Sequence, residues 1–360
     1  MMADEGTGVK ETTQSQEAQG PRKDHGVLYV GMDLGTSRTS ISASNGVRES
    51  VFSVVGYPKD VVSRKLLQRD VLFGKEAMDK RLSLDFYRPL EKGVLKDDEK
   101  DKGADAAEDL IGEAIRISQP RSDELIYAVI GVPAQASMKN KEAIVEAARE
   151  HVDSVMLCSE PFAVAYGLEM LEDVLVVDIG AGTMDMCRMH GTMPEEADQI
   201  TSEIAGDAVD ARLSELVGEA CAGVQFTPQM IKELKERHAY VGNPAGPCLV
   251  QLPVNGKPTE FDITAQVKEA CEILVPEITQ GVTSLISSFD PEFQERLRGR
   301  VLIAGGGSLV KGLDLAVEES LNKNLGGAKV IRIEEPIYGG ANGALKIAQD
   351  MPGEYWERLK

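Results

Sequence analysis

Few features of this sequence suit a membrane, secreted or nucleic-acid-binding protein. No run of about 18 apolar residues, the length that spans a bilayer, occurs in it, and its N-terminus lacks the basic-then-apolar pattern of a secretory signal. Only 39 Lys and Arg stand against 59 Asp and Glu, and the net charge of -20 repels phosphate backbones and anionic lipids. We therefore expect a cytoplasmic protein that binds no nucleic acid, unless a local basic patch overrides the total.

Cysteine is scarce, and its spacing argues against two kinds of site. The five cysteines are odd in number, widely scattered and contain no CxxC pair, so neither a disulfide framework nor a zinc site is expected. Because free cysteine is usually buried, we expect buried thiols at Cys158, Cys187, Cys221, Cys248 and Cys271.

The apolar content that is present suits two compact lobes. A chain of 360 residues, 42% of them hydrophobic, exceeds one ordinary core. Residues 1–25 are polar and cannot bury enough apolar surface to offset the entropy of ordering, so we predict a disordered tail there. Residues 95–108 are charged, contain glycine and have little apolar content, which predicts a loop between subdomains.

Short apolar runs are followed by glycine turns at four places. Residues 27–30 form a predicted strand that stops at Gly31 and leads into GMDLGTS, and residues 174–177 lead into DIGAGTMD in the same way. Runs at 125–130 and 301–304 lead into GVP and GGGS. Helical patterns lie between the runs, and one at 263–285 contains Pro276, which should kink or split it. The alternation predicts an α/β fold with a buried sheet in each lobe, and the repeat predicts an internally duplicated chain.

Two of these turns carry an acid next to glycine, which suits a phosphate bound together with a metal ion. Glycine lets several backbone N–H groups approach a phosphate. An acid would repel a bare phosphate, so Asp33 and Asp178 are expected to hold a hydrated Mg²⁺ that bridges the phosphates of a nucleoside triphosphate. One such turn is ordinary, but two turns separated by about a domain predict a nucleotide clamped between the lobes.

These motifs resemble those of the actin, Hsp70 and sugar-kinase superfamily, in the same order along the chain. The resemblance implies a duplicated actin-like (ribonuclease H-like) fold, with two lobes around a nucleotide cleft. It implies lobe I at 26–175 and 335–360 with a small subdomain at about 58–105, and lobe II at 176–334 with a small subdomain at about 206–262. The residues that it assigns to phosphate binding are Gly35, Thr36, Ser37, Gly180, Ala181, Gly182 and Thr183.

The resemblance also assigns an adenosine site and catalytic residues. Residues 159–167 resemble the connecting helix, where Glu160 would position the attacking water and act in catalysis with Asp178; a carboxylate that only complements a helix dipole is the alternative. Lys235 and Glu236 could instead belong to a solvated charged helix, and Asp207 could be a helix N-cap. The residues assigned to adenosine are Gly206, Asp207, Lys235, Glu236, Gly305, Gly306, Gly307 and Ser308.

One departure concerns the second phosphate turn. Bacterial relatives usually carry a second threonine before its final acid, whereas this chain has Met184 before Asp185. Loss of that hydroxyl would remove a secondary contact to water or cation, and it predicts hydrolysis slower than in the relatives.

A narrower resemblance is to the MamK-type bacterial actins. It rests on residues 53–62, 89–95, 130–134 and 159–162 and on the ending Tyr355-Trp356. It implies an ATPase that polymerises into dynamic cytoskeletal filaments and positions magnetosomes through an adaptor protein. Both chain ends are short and polar or charged, so direct membrane insertion is not expected. The alternatives are a small-molecule kinase on the same fold and a plasmid-partitioning actin.

Overall fold

The computed structural model describes residues 26–95, 103–244 and 246–359. The predicted disordered tail therefore lies outside the described residues. The strands, in chain order, are β1 (Val27–Leu34), β2 (Arg38–Ala43), β3 (Arg48–Phe52), β4 (Val55–Pro58), β5 (Leu72–Phe73), β6 (Leu84–Tyr87), β7 (Leu90–Glu91), β8 (Val94–Leu95), β9 (Leu125–Val132), β10 (Ser154–Ser159), β11 (Glu172–Ile179), β12 (Met184–His190), β13 (Gln199–Ser202), β14 (Leu249–Val254), β15 (Lys257–Asp262), β16 (Val301–Ala304) and β17 (Val330–Arg332).

Helices connect these strands, and short 3-10 turns occur at Arg81–Ser83, Glu196–Asp198 and Gly306–Leu309. The helices are α1 (Val61–Leu67), α2 (Gly74–Asp79), α3 (Gly103–Ile117), α4 (Met138–Arg149), α5 (Glu160–Gly167), α6 (Gly206–Ala220), α7 (Pro228–His238), α8 (Thr264–Glu272), α9 (Leu274–Ser287), α10 (Pro291–Arg298), α11 (Leu313–Leu325), α12 (Gly339–Asp350) and α13 (Gly353–Arg358).

The two large sheets have the same strand order. One runs β10-β9-β1-β2-β3 and the other β17-β16-β11-β12-β13. In each, three successive strands pair antiparallel and two later strands add in parallel beside the first. This equivalence confirms the predicted duplicated α/β fold, with β11 standing where β1 stands.

The first strand is longer than its apolar run predicts. β1 continues through Leu34, because residues up to Asp33 pair with β9 and residues up to Leu34 pair with β2. The expected stop at Gly31 is wrong. This glycine allows α12 to pass close over the strand, since a Cβ on it would lie 2.1 Å from the backbone nitrogen of Leu345. Asp33 therefore sits at the end of a strand, not inside a turn.

The predicted loop at 95–108 is also partly wrong. Residues 96–102 lie outside the described residues, but residues 103–108 belong to α3. Ala106 and Ala107 are fully buried there with Leu110 and Ile111 one turn later. Alanine favours helix and can pack close to a neighbouring surface. The scarcity of large apolar side chains in this segment therefore did not indicate a loop.

The long helical pattern near Pro276 does divide in two, as predicted. The break falls at Ile273 between α8 and α9, and Pro276 is the third residue of α9. Proline is tolerated in a first helical turn because the N–H that it lacks has no intrahelical partner there.

Two central helices join the sheets. α5 and α12 cross so closely that a Cβ on Gly343 would lie 1.7 Å from the carbonyl oxygen of Ala163. A shared core contains residues of β9, β11 and β16 with both helices, and it includes the fully buried Trp356. This shared core fixes the carboxyl ends of β1 and β11 relative to each other.

All five cysteines are free, four of them buried and Cys158 partly so. In the residues that the structure describes, no helix is long and apolar enough to cross a membrane.

Candidate functional site

Four carboxylates meet where the two sheets face each other. Asp33 is the penultimate residue of β1, Asp178 is the penultimate residue of β11, and Asp185 is paired with Asp178 across the β11–β12 ladder. Glu160 is the first residue of α5. Glu160, Asp178 and Asp185 are buried, and Asp33 is half-buried.

The carboxylates raise one another's pKa. Burial and the charge of Asp185 raise the pKa of Asp33 to about 7. Burial first, and then the charges of Asp33, Asp185 and Asp178, hold the pKa of Glu160 well above its usual range. The pKa of Asp178 is raised by burial and by Asp33 and Asp185. Such a cluster of like charges is stabilised by a cation or by protonation.

Three of the four carboxylates have no protein partner. Within the described residues no hydrogen bond or ion pair reaches the carboxylate of Asp33, Glu160 or Asp178. Asp185, by contrast, accepts hydrogen bonds from Thr201 Oγ1 at 2.5 Å and from the Ala134 backbone N–H at 2.8 Å. The first three are free to face a ligand, whereas Asp185 ties the end of β9 to β13.

The donor set fits Mg²⁺ held jointly with a ligand. No three His, Cys, Asp or Glu side chains of the described residues are arranged to hold a metal alone. Mg²⁺ usually keeps several waters and binds one or two carboxylates plus substrate phosphates. Asp33 and Asp178 match that pattern, because the charge of Asp33 acts on Asp178 and no Lys or Arg of the described residues forms an ion pair with either.

The two predicted phosphate loops touch each other. A Cβ on Gly182 would lie 2.5 Å from Thr36 Oγ1, so only glycine allows this approach. The first loop, residues 34–37, is held by Ser53, whose hydroxyl donates to the Gly35 carbonyl at 2.6 Å. The second, residues 180–183, is closed by Gly180 N–H donating to the Thr183 carbonyl at 2.9 Å. Ala181 O accepts from Asp207 N–H at 2.7 Å, which joins the second loop to α6.

The triple-glycine turn lies against the second loop. Gly305 has φ +73°, and a Cβ there would lie 2.3 Å from Asp178 Oδ1. A Cβ on Gly307 would lie 2.2 Å from Ile179 Cγ2, while Gly306 faces open space. Ser308 is buried, and its hydroxyl donates to the Gly305 carbonyl at 2.7 Å, so it closes the turn.

The remaining predicted nucleoside residues lie on α6 and α7. Lys235 Nζ donates to the Gly206 carbonyl at 2.7 Å and pairs with Asp210 at 2.9 Å, so the solvated-helix alternative is wrong for Lys235. Glu236 is exposed. Asp207 lies in the first turn of α6, whose N-cap is Ala205, so the N-cap alternative for Asp207 is wrong.

Comparison with known proteins decides the family. The profile of the MreB/Mbl protein family matches residues 28–353. The chain belongs to the MreB/Mbl family. It is 39% identical over 343 residues to the actin-like protein MamK of Paramagnetospirillum magneticum, covering 95% of this chain and 98% of that one. It is 38% identical to MamK of Magnetospirillum gryphiswaldense, covering 95% and 94%.

Solved structures agree with this MreB/Mbl assignment. The MamK double helical filament has a TM-score of 0.87 and 39% identity, covering 90% of this chain and 99% of that one. A non-polymerising MamK mutant bound to AMPPNP has a TM-score of 0.70 and 39% identity, covering 91% and 100%. The similarity to MamK and the actin-like two-lobe fold are thus confirmed.

Several contacts of this MreB/Mbl site escaped prediction from sequence. The partners of Asp185 come from other elements, and α12 begins beside Asp33, where a Cβ on Gly340 would lie 2.9 Å from Asp33 Oδ2. Lys232 of α7 donates to Ser37 Oγ of the first loop. In the sequence, only the position of Lys232 one helical turn before Lys235 indicated a role for it.

Met184 is a core residue in this family member. It is fully buried among the apolar residues under the second sheet. Thr201 supplies a hydroxyl to the neighbouring Asp185. The slower hydrolysis expected from Met184 stays a prediction.

Proposed function

We propose that this chain binds ATP with Mg²⁺ between its lobes, hydrolyses it, and polymerises into dynamic filaments. The observation that carries the proposal is the group of three carboxylates, without protein partners in the described residues, at the contact of two glycine loops, one from each half of the chain. Similarity to MamK, solved both as a filament and with AMPPNP, supports the nucleotide and the assembly.

The roles follow from the positions of the side chains. Asp33 and Asp178 hold hydrated Mg²⁺, which when bound offsets the charge of the phosphates. The loop residues from Gly35 to Ser37 and from Gly180 to Thr183 offer N–H and hydroxyl groups to the phosphates. The adenosine lies between α7 and the triple-glycine turn.

Glu160 positions the attacking water and accepts its proton. Within the described part of the chain its carboxylate has no protein partner, and its raised pKa makes it a stronger base than an ordinary glutamate. Its place at the start of α5 remains compatible with favourable interaction with the helix dipole.

The lobe boundaries are proposed as 26–175 with 335–360, and 176–334, with small subdomains at about 58–105 and 206–262. Contacts such as Lys92 Nζ to Glu203 Oε2 at 2.6 Å join the two lobes beside the loops. A ligand that bridges the lobes sets their angle, and that angle can favour or disfavour contact with the next subunit.

An exposed apolar surface supports self-assembly. Val61, Val62 and Leu66 of α1 and the neighbouring Leu82 are between 70% and 86% exposed. Contiguous apolar groups of this kind mark interaction sites, and we propose that this α1 surface contacts a second copy of the chain. By similarity to MamK, we propose cytoplasmic filaments that position magnetosomes through an adaptor protein.

The test is binding and turnover without any added acceptor. Fluorescent ATP should bind in the presence of Mg²⁺ and bind more weakly in EDTA, and phosphate should be released with water as the only acceptor. Turnover that requires an added small-molecule acceptor would instead support the kinase alternative.

A further inference from the structure

Lys232 joins the two halves of the cleft through a single contact. It lies on α7, in the second half of the chain, and its ammonium donates to the hydroxyl of Ser37, the last residue of the first phosphate loop. These residues are 195 positions apart in sequence. The Lys232 side chain therefore extends across the space where the loops approach each other.

The hydrogen-bond partner of Lys232 is the neutral Ser37 hydroxyl, and within the described residues the ammonium forms no ion pair. An ammonium has three donors, yet no carboxylate of the described residues pairs with Lys232. Lys235, one turn later, is held by Asp210 and by the Gly206 carbonyl. Burial and the charge of Lys235 lower the pKa of Lys232, and they outweigh the opposing charges of Asp207, Glu236 and Asp210.

Other cations near the loops are already engaged. Arg38 follows Ser37 directly, but its guanidinium lies 4.1 Å from the centre of the Phe52 ring. Lys92, beside the second loop, pairs with Glu203 at 2.6 Å. Of these three cations, Lys232 alone has no ion-pair or aromatic partner within the described residues, and it contacts the first loop through Ser37.

We propose that Lys232 binds the phosphate chain of the nucleotide and exchanges its hydrogen bond with Ser37 for an ion pair. The ligand class is a nucleoside di- or triphosphate, so this inference rests on the proposed function. Because Lys232 is on α7, the contact also couples that helix to occupancy of the first phosphate loop. Ser37 holds the ammonium in place when no phosphate is bound.

The experiment compares ligands that differ in phosphate number. Affinities of ATP, ADP and adenosine are measured with Mg²⁺ by competition against fluorescent ATP, for the wild type, Lys232→Met and Lys232→Arg. Lys232→Met should weaken ATP and ADP by about 10- to 100-fold, the worth of one charge-assisted hydrogen bond, and leave adenosine unchanged. Lys232→Arg should keep most of the affinity.

The control is Arg237→Met, which removes a positive charge from an exposed position of the same helix. It should leave all three affinities within twofold. Salt should weaken ATP binding less in Lys232→Met than in the wild type, because one ionic contact is gone.

Two results would overturn the inference while leaving the proposed function intact. Equal weakening of ATP and adenosine binding by Lys232→Met would mean that Lys232 contacts the nucleoside. Unchanged ATP affinity would mean that Lys232 contacts Ser37 and not the nucleotide. If the wild type itself bound no nucleotide, the proposed function would fail, and this inference with it.

Discussion

The carboxylates of the cleft differ in their hydrogen-bond partners, and this separates their expected roles. The carboxylate of Asp185 accepts hydrogen bonds from Thr201 and Ala134, so it connects β13 to the segment that follows β9. Asp33, Glu160 and Asp178 have no such partners in the described residues and are available to a hydrated cation and a water. Roles in chemistry are therefore expected for these three.

Replacement of Glu160 by Gln should abolish turnover but keep nucleotide binding. The amide preserves the shape of the side chain but cannot accept the proton, and loss of a general base typically costs about 10²- to 10⁴-fold in rate. Phosphate release is the measurement, with fluorescent ATP binding recorded on the same sample.

The matched control is Glu169→Gln. Glu169 follows the same helix, but it pairs with Lys346 at the surface. Its variant should hydrolyse ATP at the wild-type rate. Unchanged phosphate release from Glu160→Gln would remove Glu160 from the mechanism.

Replacement of Gly305 by Ala should destabilise the protein, whereas Gly306→Ala should not. A Cβ on Gly305 would clash with Asp178 and would force a non-glycine residue to φ +73°, a strain of about 1–3 kcal/mol before the clash is added. Gly306 has open space around it. Urea unfolding should show a lower midpoint for Gly305→Ala only, and equal midpoints would contradict the packing described here.

At the scale of elements, one buried ion pair holds β12 to its neighbours. Arg188 Nε pairs with Asp198 Oδ1 at 2.7 Å, and the guanidinium also donates to the Leu285 carbonyl at the end of α9. Both side chains are less than 8% exposed. His190 Nε2 lies 3.1 Å from the other oxygen of Asp198.

Asp198→Asn should therefore lower the free energy of unfolding by about 3–5 kcal/mol at pH 7, the cost of leaving a buried charge unpaired. Urea unfolding measures this. The control is Asp79→Asn, which removes a carboxylate that pairs with Lys75 at the surface and should change stability by under about 1 kcal/mol.

The same pair has a defined pH dependence. Burial alone would raise the pKa of Asp198, but hydrogen bonds from Glu195 N–H, Arg188 and His190 outweigh it and lower this pKa below 3.8. A lowered folded-state pKa gives stability that is fully present above the unfolded pKa and lost as pH falls through the folded value. The difference between wild type and Asp198→Asn should be present at pH 5 and shrink as pH falls below about 4. A difference that grew as pH fell from about 5 to 3 would contradict this sign.

The sequence predicted local patterns well and distant contacts poorly. The strand-then-glycine repeats could be recognised because each lies within about ten residues, and they located both glycine loops that meet in the structure. Helix α3 escaped notice because its buried face begins with alanine. The links from Asp185 to Ala134 and from Lys232 to Ser37 join residues far apart in the chain. Such links depend on sheet register and lobe placement, which a local pattern does not contain.

At the scale of the whole molecule, assembly should depend on the α1 surface. Val62 and Leu66 lie one helical turn apart and are 75% and 70% exposed, so Val62→Lys with Leu66→Lys should leave the fold intact. Charges in an apolar contact would be buried at a large cost, and polymer formation should be lost. Light scattering with ATP is the measurement. Met193→Lys, which changes an equally exposed apolar residue elsewhere, should assemble normally; assembly of the double variant would exclude this surface.

We propose that ATP bound between the lobes drives assembly and is then hydrolysed. High-speed sedimentation of the protein with Mg²⁺ and ATP, with ADP, and without nucleotide tests it most directly when phosphate release is followed in the same tubes. We expect pelleting with ATP, followed by phosphate release and loss of polymer. Protein that stays in the supernatant under every condition, or that pellets equally with and without nucleotide, would contradict it.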